Sequence, residues 1–452
     1  MPVHLTRSRF LVLLIVVILL TPTAVSGAAH YFGPNSESAP STSNASVVGG
    51  NTTANGTGNI AFVSTQGKET RVGSRLVAVN TTTKQPLWTH TSFCRYYDVD
   101  PLNRSTLLVS ADTEGCLKGS GFEALIIDWR NDTVLDRFPL PPDTHDVDSL
   151  GGGEYAVADK KNDRIYVYNL THDRITWQYR FKPRFPRSAG GGPADYSHDY
   201  THLNDIDTID NGSAFLVSPR NFDRVMAIEY PSKQLRWVLG EQDNKTTLNK
   251  QHNPVLLSRD PLAVLVADSE NDRVIEYTRT DGKWRQSWVY VQNLDWPRDA
   301  DRLPDGNTLI VDTYNQRVLE ITPEKQVVWR YQVEGFAPYD VERLRYGDEP
   351  AGPSITALAR NGSASTNSAT DTNTSTVSGA PSAGARARSK NDLIGRTVEV
   401  YDEWYTTAQW VVPSWVGRIE FGLAILAIVV VIGWSVAEAL FAVGRRTTMR
   451  LS

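Results

Sequence analysis

Three histidines and an arginine head four similar segments: His145-Asp-Val-Asp, His202-Leu-Asn-Asp, His252-Asn-Pro-Val and Arg298-Asp-Ala-Asp. A fifth copy starts at Tyr97-Asp-Val-Asp. One such histidine alone would read as a structural residue. Three of the chain's 8 histidines at one repeat position mark a place where titratable groups converge. Imidazoles and a guanidinium facing one cavity suit two chemistries. One is a three-histidine metal centre with an open position. The other is transfer of an anionic group, in which one neutral imidazole attacks and its neighbours hold the developing charge. Arg298, and Arg220 in Ser218-Pro-Arg, repel a bare dication but suit sulfuryl or phosphoryl oxygens. The expectation is anion transfer, with no metal and no cofactor. An aspartate stands three residues after the head at Asp100, Asp148, Asp205 and Asp301, with Val255 in the remaining copy. Its recurrence reads as scaffold, a turn or inter-strand cap.

These heads need elements that bring them together. After each comes an apolar strand, a polar turn ending in arginine, an alternating strand, a second turn and a strand carrying tryptophan. The copies run from Val157, Val217, Val266 and Val311, with weaker ones at Ser74 and Glu123. The turn arginines Arg164, Arg224, Arg273 and Arg317 are 44–60 residues apart, the period of a propeller blade of four short strands. Six copies predict an all-β, six-bladed β-propeller over residues 59–335. Its first strands would line a central channel, where Tyr97, His145, His202, His252 and Arg298 meet. The 12 Trp and 18 Tyr against 3 Met also favour strands.

The flanks carry the remaining signals. Net charge is −5, without a concentrated basic face, which argues against nucleic acid as a partner. Arg7 and Arg9 precede an apolar run and small residues, so residues 1–29 read as a signal peptide or an N-terminal membrane anchor. Residues 30–58 are a Ser/Asn/Thr-rich tether, 336–392 a Ser/Thr/Ala-rich linker and 393–420 a juxtamembrane segment. Residues 421–443 have the length and apolarity of a transmembrane helix. Arg445, Arg446 and Arg450 follow it and put the tail 444–452 in the cytoplasm and the propeller on the extracytoplasmic side of a cell membrane. Sequons such as Asn80, Asn103 and Asn131 agree with export. So does the pair Cys94 and Cys116, which could close a short disulfide loop or remain two thiols.

With His202-x-Asn204, Arg220 eighteen residues on from His202, and Gln251-His252, the repeat resembles the bacterial arylsulfate sulfotransferases. The resemblance covers about residues 60–335. It implies a six-bladed propeller that moves a sulfuryl group from a phenolic sulfate to a phenol through a sulfohistidine, without a nucleotide donor. It implies His252 as nucleophile, with His145, His202, Asn204 and Arg220 binding the sulfuryl oxygens and assisting the leaving phenolate. Small-molecule aryl sulfate and phenol would be its partners. Tyr97 and Arg298 share the ring as substrate-binding positions, Arg298 without a counterpart role in the family. Asn253-Pro254 also departs from the family's pattern after the nucleophile. The alternative is a non-catalytic, membrane-tethered propeller that binds an anionic ligand or a surface glycan.

Overall fold

The structure is a computed structural model. It describes residues 12, 15–21, 59–67, 74–113, 121–190, 199–335, 337–348, 350, 352–366, 400–401, 404–413 and 416–448. The tether, most of the N-terminal segment, Cys116 and part of the linker lie outside them. Cys94 is disulfide-bonded.

Six four-stranded antiparallel sheets form the blades of a propeller. Five are continuous in sequence. Blade 1 is closed by a strand from the far end, Pro338–Arg343, which pairs with Ile60–Thr65 and so joins the two ends of the domain. The propeller thus runs past residue 335, into a stretch that reads from sequence as linker. Beyond the closing strand, helix Ile355–Thr366 begins with the Ile355 amide donating to Glu276 on blade 5. Glu276 also pairs with fully buried Arg302 at 3.2 Å.

Each pair of neighbouring blades shares one apolar cluster, six in all around the ring. The tryptophans of the outermost strands fasten blade to blade. Trp177 Nε1 donates to the Pro231 carbonyl at 2.9 Å, Trp288 to Pro323 at 2.9 Å and Trp329 to Thr81 at 2.7 Å, each on the next blade. The recurring turn arginine also has a physical role. Arg164, Arg273 and Arg317 each bind the buried aspartate that ends the preceding strand, at 2.6 Å. Asn162, Asn271 and Asn315 bond the same aspartates. A buried carboxylate is stable only with such partners. In blade 4 the aspartate is replaced by Pro219, and the turn carries Arg220 instead.

The inner strands Arg95–Pro101, Val147–Gly151, Leu203–Ile209, His252–Arg259, Pro297–Arg302 and Pro338–Arg343 surround the channel. A separate compact unit contains the C-terminal helix Arg418–Thr448. Its segment Arg418–Leu440 is long and apolar enough to cross a membrane, and almost none of it is buried.

Candidate active site

One end of the channel gathers the heads of the inner strands. In blade order they are Tyr339, Tyr97, His145, Asn204, His252 and Arg298, all nearly or fully buried. The register follows from the hydrogen bonds between blades. Asp340 receives the Val99 amide at 2.9 Å, Asp98 receives that of Val147 at 3.5 Å, and Asp146 receives that of Ile206. Residues just before Asp340, Asp98, Asp146 and Asp205 are therefore equivalent, which puts Asn204, and not His202, at the position of His145. Asp207 is correspondingly the partner of Asp100 and Asp148. His202 lies two residues earlier, with φ of 45°, where other blades have Asp143 (60°), Lys250 (49°) and Trp296 (56°). Left-handed backbone at such residues is uncommon and marks a turn enforced by its surroundings. That turn brings the His202 ring to 5.4 Å from His145, so both histidines still reach the site.

His252 has the clearest proton arrangement. Its Nδ1 lies 2.7 Å from Ser269 Oγ, and that hydroxyl donates its one proton to the Pro297 carbonyl at 2.6 Å. Ser269 can then only accept from Nδ1–H, which leaves the lone pair on Nε2. Nε2 is buried and has no hydrogen-bond partner. The Trp296 ring stands 5.4 Å from the imidazole, and the Arg298 guanidinium covers Trp296 at 4.6 Å and Tyr339 at 4.3 Å. Arg298 also donates to Gln66.

The opposite wall is built from blades 2 to 4. Tyr97 donates to Asp143 at 2.9 Å and accepts from Gln66 at 3.1 Å and Arg95 at 3.2 Å, so its proton is already committed within the protein. Asp143 faces His145 Nε2 at 3.5 Å and is paired with Lys160. His202 Nδ1 bonds Asp199. The Arg220 amide donates to the His202 carbonyl at 3.3 Å and that of Asn221 to Thr201 at 3.0 Å, which places Arg220 beside His202. The Arg220 guanidinium sits 3.7 Å from Glu270. Asn204 Nδ2 holds the Gln251 carbonyl at 2.9 Å, beside the proposed nucleophile, while its Oδ1 is buried without a partner.

Burial and neighbouring cations keep all three imidazoles neutral. His145 is pushed down to about 4, first by burial and then by Lys160. Burial, Lys160 and Arg220 hold His202 well below the usual histidine range. Burial, Arg298 and Arg220 do the same for His252. Burial works against ionisation of Asp143, but Lys160 and His145 overcome it and keep the carboxylate ionised. The wall thus sets the guanidinium of Arg298, with the ion-paired Arg220 and Lys160, around uncharged imidazole nitrogen.

The structure brings together every residue that the sequence put forward: Tyr97, His145, His202, Asn204, Arg220, His252 and Arg298. It adds Lys160, Asp143, Ser269 and Tyr339. Lys160 was detectable, since it follows the second strand of blade 3 as Arg220 does in blade 4. Tyr339 was too, because Tyr339-Asp-Val-Glu repeats Tyr97-Asp-Val-Asp. The role of Ser269 depends on a carbonyl from the next blade and left no sequence signal.

No curated protein matches the chain. Among solved structures, a protein of unknown function from Bacteroides caccae is similar at 15% identity, covering 63% of this chain and 98% of that one with a TM-score of 0.46. A functionally unknown protein from Desulfotomaculum acetoxidans is similar at 14% identity over 61% and 88%, TM-score 0.40. Virginiamycin B lyase from Staphylococcus aureus is similar at 12% identity over 52% and 69%, TM-score 0.36. The family model Arylsulfotransferase (ASST) matches residues 155–286, from the second strand of blade 3 to the last strand of blade 5. The match spans the stretch that supplies Lys160, His202, Asn204, Arg220 and His252, so residues 155–286 of this six-bladed propeller are similar to the arylsulfotransferase (ASST) family.

Proposed function

We propose that the protein transfers a sulfuryl group from a phenolic sulfate ester to a phenolic acceptor, with His252 as the nucleophile. The observation that carries this is the unpartnered, lone-pair-bearing Nε2 of His252, buried opposite two other neutral histidines. Nε2 attacks sulfur, the S–O bond to the phenol breaks, and the electron pair leaves as phenolate. Arg220, Lys160 and Arg298 surround the anionic sulfuryl oxygens and the leaving oxygen, while His145 and His202 each turn their one N–H to a carboxylate, Asp143 and Asp199, and keep a lone pair on the other nitrogen. An acceptor phenol then gives its proton to the lone pair of His145 or His202 as its oxygen takes SO₃ from Nε2; this restores the neutral imidazole of His252, and the proton passes to solvent, where the released phenolate takes one up. Asn204 Oδ1 is an acceptor. It fits the hydroxyl of that phenol better than an anionic oxygen.

The test is transfer from 4-methylumbelliferyl sulfate to phenol by the purified full chain. His252→Gln lowers the rate by about 10³-fold or more while the melting temperature is kept. Ser269→Ala, which frees the imidazole to adopt the other tautomer, lowers kcat by about tenfold or more with KM little changed. A folded wild-type protein inert with several phenolic donors sinks the proposal. It would favour a tethered propeller that binds an anionic ligand or a surface glycan.

We further infer that the helix Arg418–Thr448 anchors the chain with the propeller on the extracytoplasmic side, because the arginines lie beyond the apolar stretch. Protease added to intact cells then removes the propeller. A propeller that survives until the cells are lysed contradicts this orientation.

A further inference from the structure

Further along the inner strands from the histidines, about 10 Å at 3.3 Å per residue, the channel changes sign. A cavity of about 20 Å³ lies there, room for one water-sized sphere. Ten of the eleven residues lining this cavity are Asp or Glu, and the eleventh is Asn253, so no lining side chain supplies a positive charge. Four of these acids serve the fold. Asp340, Asp98, Asp146 and Asp148 each accept a backbone amide from the neighbouring blade. Asp100 does not fit that explanation. It is only 4% exposed, and its Oδ2 is buried with no hydrogen-bond partner. Asp207, at 8% exposure, has an Oδ2 in the same condition. A buried carboxylate oxygen without a donor is costly, and a cluster of them more so.

We propose that this end of the channel binds a divalent cation of the calcium class, with Asp100, Asp148 and Asp348 as its carboxylate ligands. One oxygen of each lies within 4.8 Å of the other two, the span of two opposed Ca–O bonds of about 2.4 Å. The donor set is all oxygen, without histidine or cysteine, which suits calcium or magnesium and not zinc or copper. Asp100 belongs to blade 2, Asp148 to blade 3, and Asp348 follows the closing strand of blade 1. A bound ion therefore fastens three blades at the point where the ring closes. Asp348 is partly exposed, which gives the ion a way in. From the sequence, the recurring aspartates Asp100, Asp148, Asp205 and Asp301 read as turn caps; the convergence of Asp100, Asp148 and Asp205 on one cavity was hidden by the strand register.

The test uses the full chain in detergent, stripped with EDTA, dialysed and titrated with calcium chloride at neutral pH. Calorimetry should show one saturable calcium per chain, and millimolar calcium should raise the melting temperature by several degrees. Asp100→Asn and Asp348→Asn should each abolish both responses. Each removes a negative charge from a crowded cluster, so in EDTA they should melt at or above the wild type, which separates lost binding from lost folding. Calcium binding that persists in both variants would place the ion elsewhere and overturn the proposal. So would an absence of binding and stabilisation at millimolar calcium, which would mean that shared protons neutralise the cluster instead.

Discussion

At the scale of single residues, the chemistry depends on imidazoles that remain neutral. Burial, with Arg298 and Arg220 next in effect, keeps His252 in that state. The same environment makes stability depend on pH. His145 has a folded value of about 4 against 6.5 for the free side chain, so the unfolded chain binds its proton first. Stability contributed by keeping it neutral is present above about pH 6.5, falls as the pH drops towards 4, and levels off below that. The full loss is about 3 kcal/mol. Melting temperature measured against pH should therefore fall less steeply for His145→Gln than for the wild type between those limits; parallel curves would contradict it. These residues differ in how far the sequence disclosed them. His145, His252 and Arg298 head visible repeats. The offset of His202 is set by a left-handed turn, and the pairing of Lys160 with Asp143 crosses two elements, so neither follows from spacing.

At the scale of elements, the repeat was legible because each part of it has a local job. The alternating strands bury one face, the Asp–Asn–Arg turn satisfies a buried carboxylate, and the outer tryptophan reaches the next blade. The closing strand was not, since Pro338–Arg343 finds its partners in blade 1 across almost the whole domain. That strand supplies Tyr339 to the site and Asp340 to the Val99 amide. A chain ending at residue 335 should therefore lose cooperative unfolding, whereas one ending after Thr366 keeps it. Thermal melts followed by circular dichroism compare the two. A sharp transition in the shorter chain would show that closure contributes little.

At the scale of the whole molecule, one channel presents two opposite chemistries. Arg298, Arg220 and Lys160 make the histidine end receptive to an anion, and the carboxylates make the other end receptive to a cation. The histidine cluster was legible in the sequence because rare residue types recurred, and the carboxylate cluster was not, because aspartate is common in turns. The match of residues 155–286 to the arylsulfotransferase (ASST) model agrees with aryl sulfotransferase-type activity on this propeller. The central claim is that His252 carries the sulfuryl group between donor and acceptor. It is tested most directly by mass spectrometry of the protein after brief incubation with 4-methylumbelliferyl sulfate and no acceptor, digested under conditions that preserve phosphoramidate-like bonds. The account predicts a gain of one SO₃ on the peptide containing His252, lost when phenol is added. Turnover of the ester with that peptide unmodified, or the modification on His145 or His202, would contradict it.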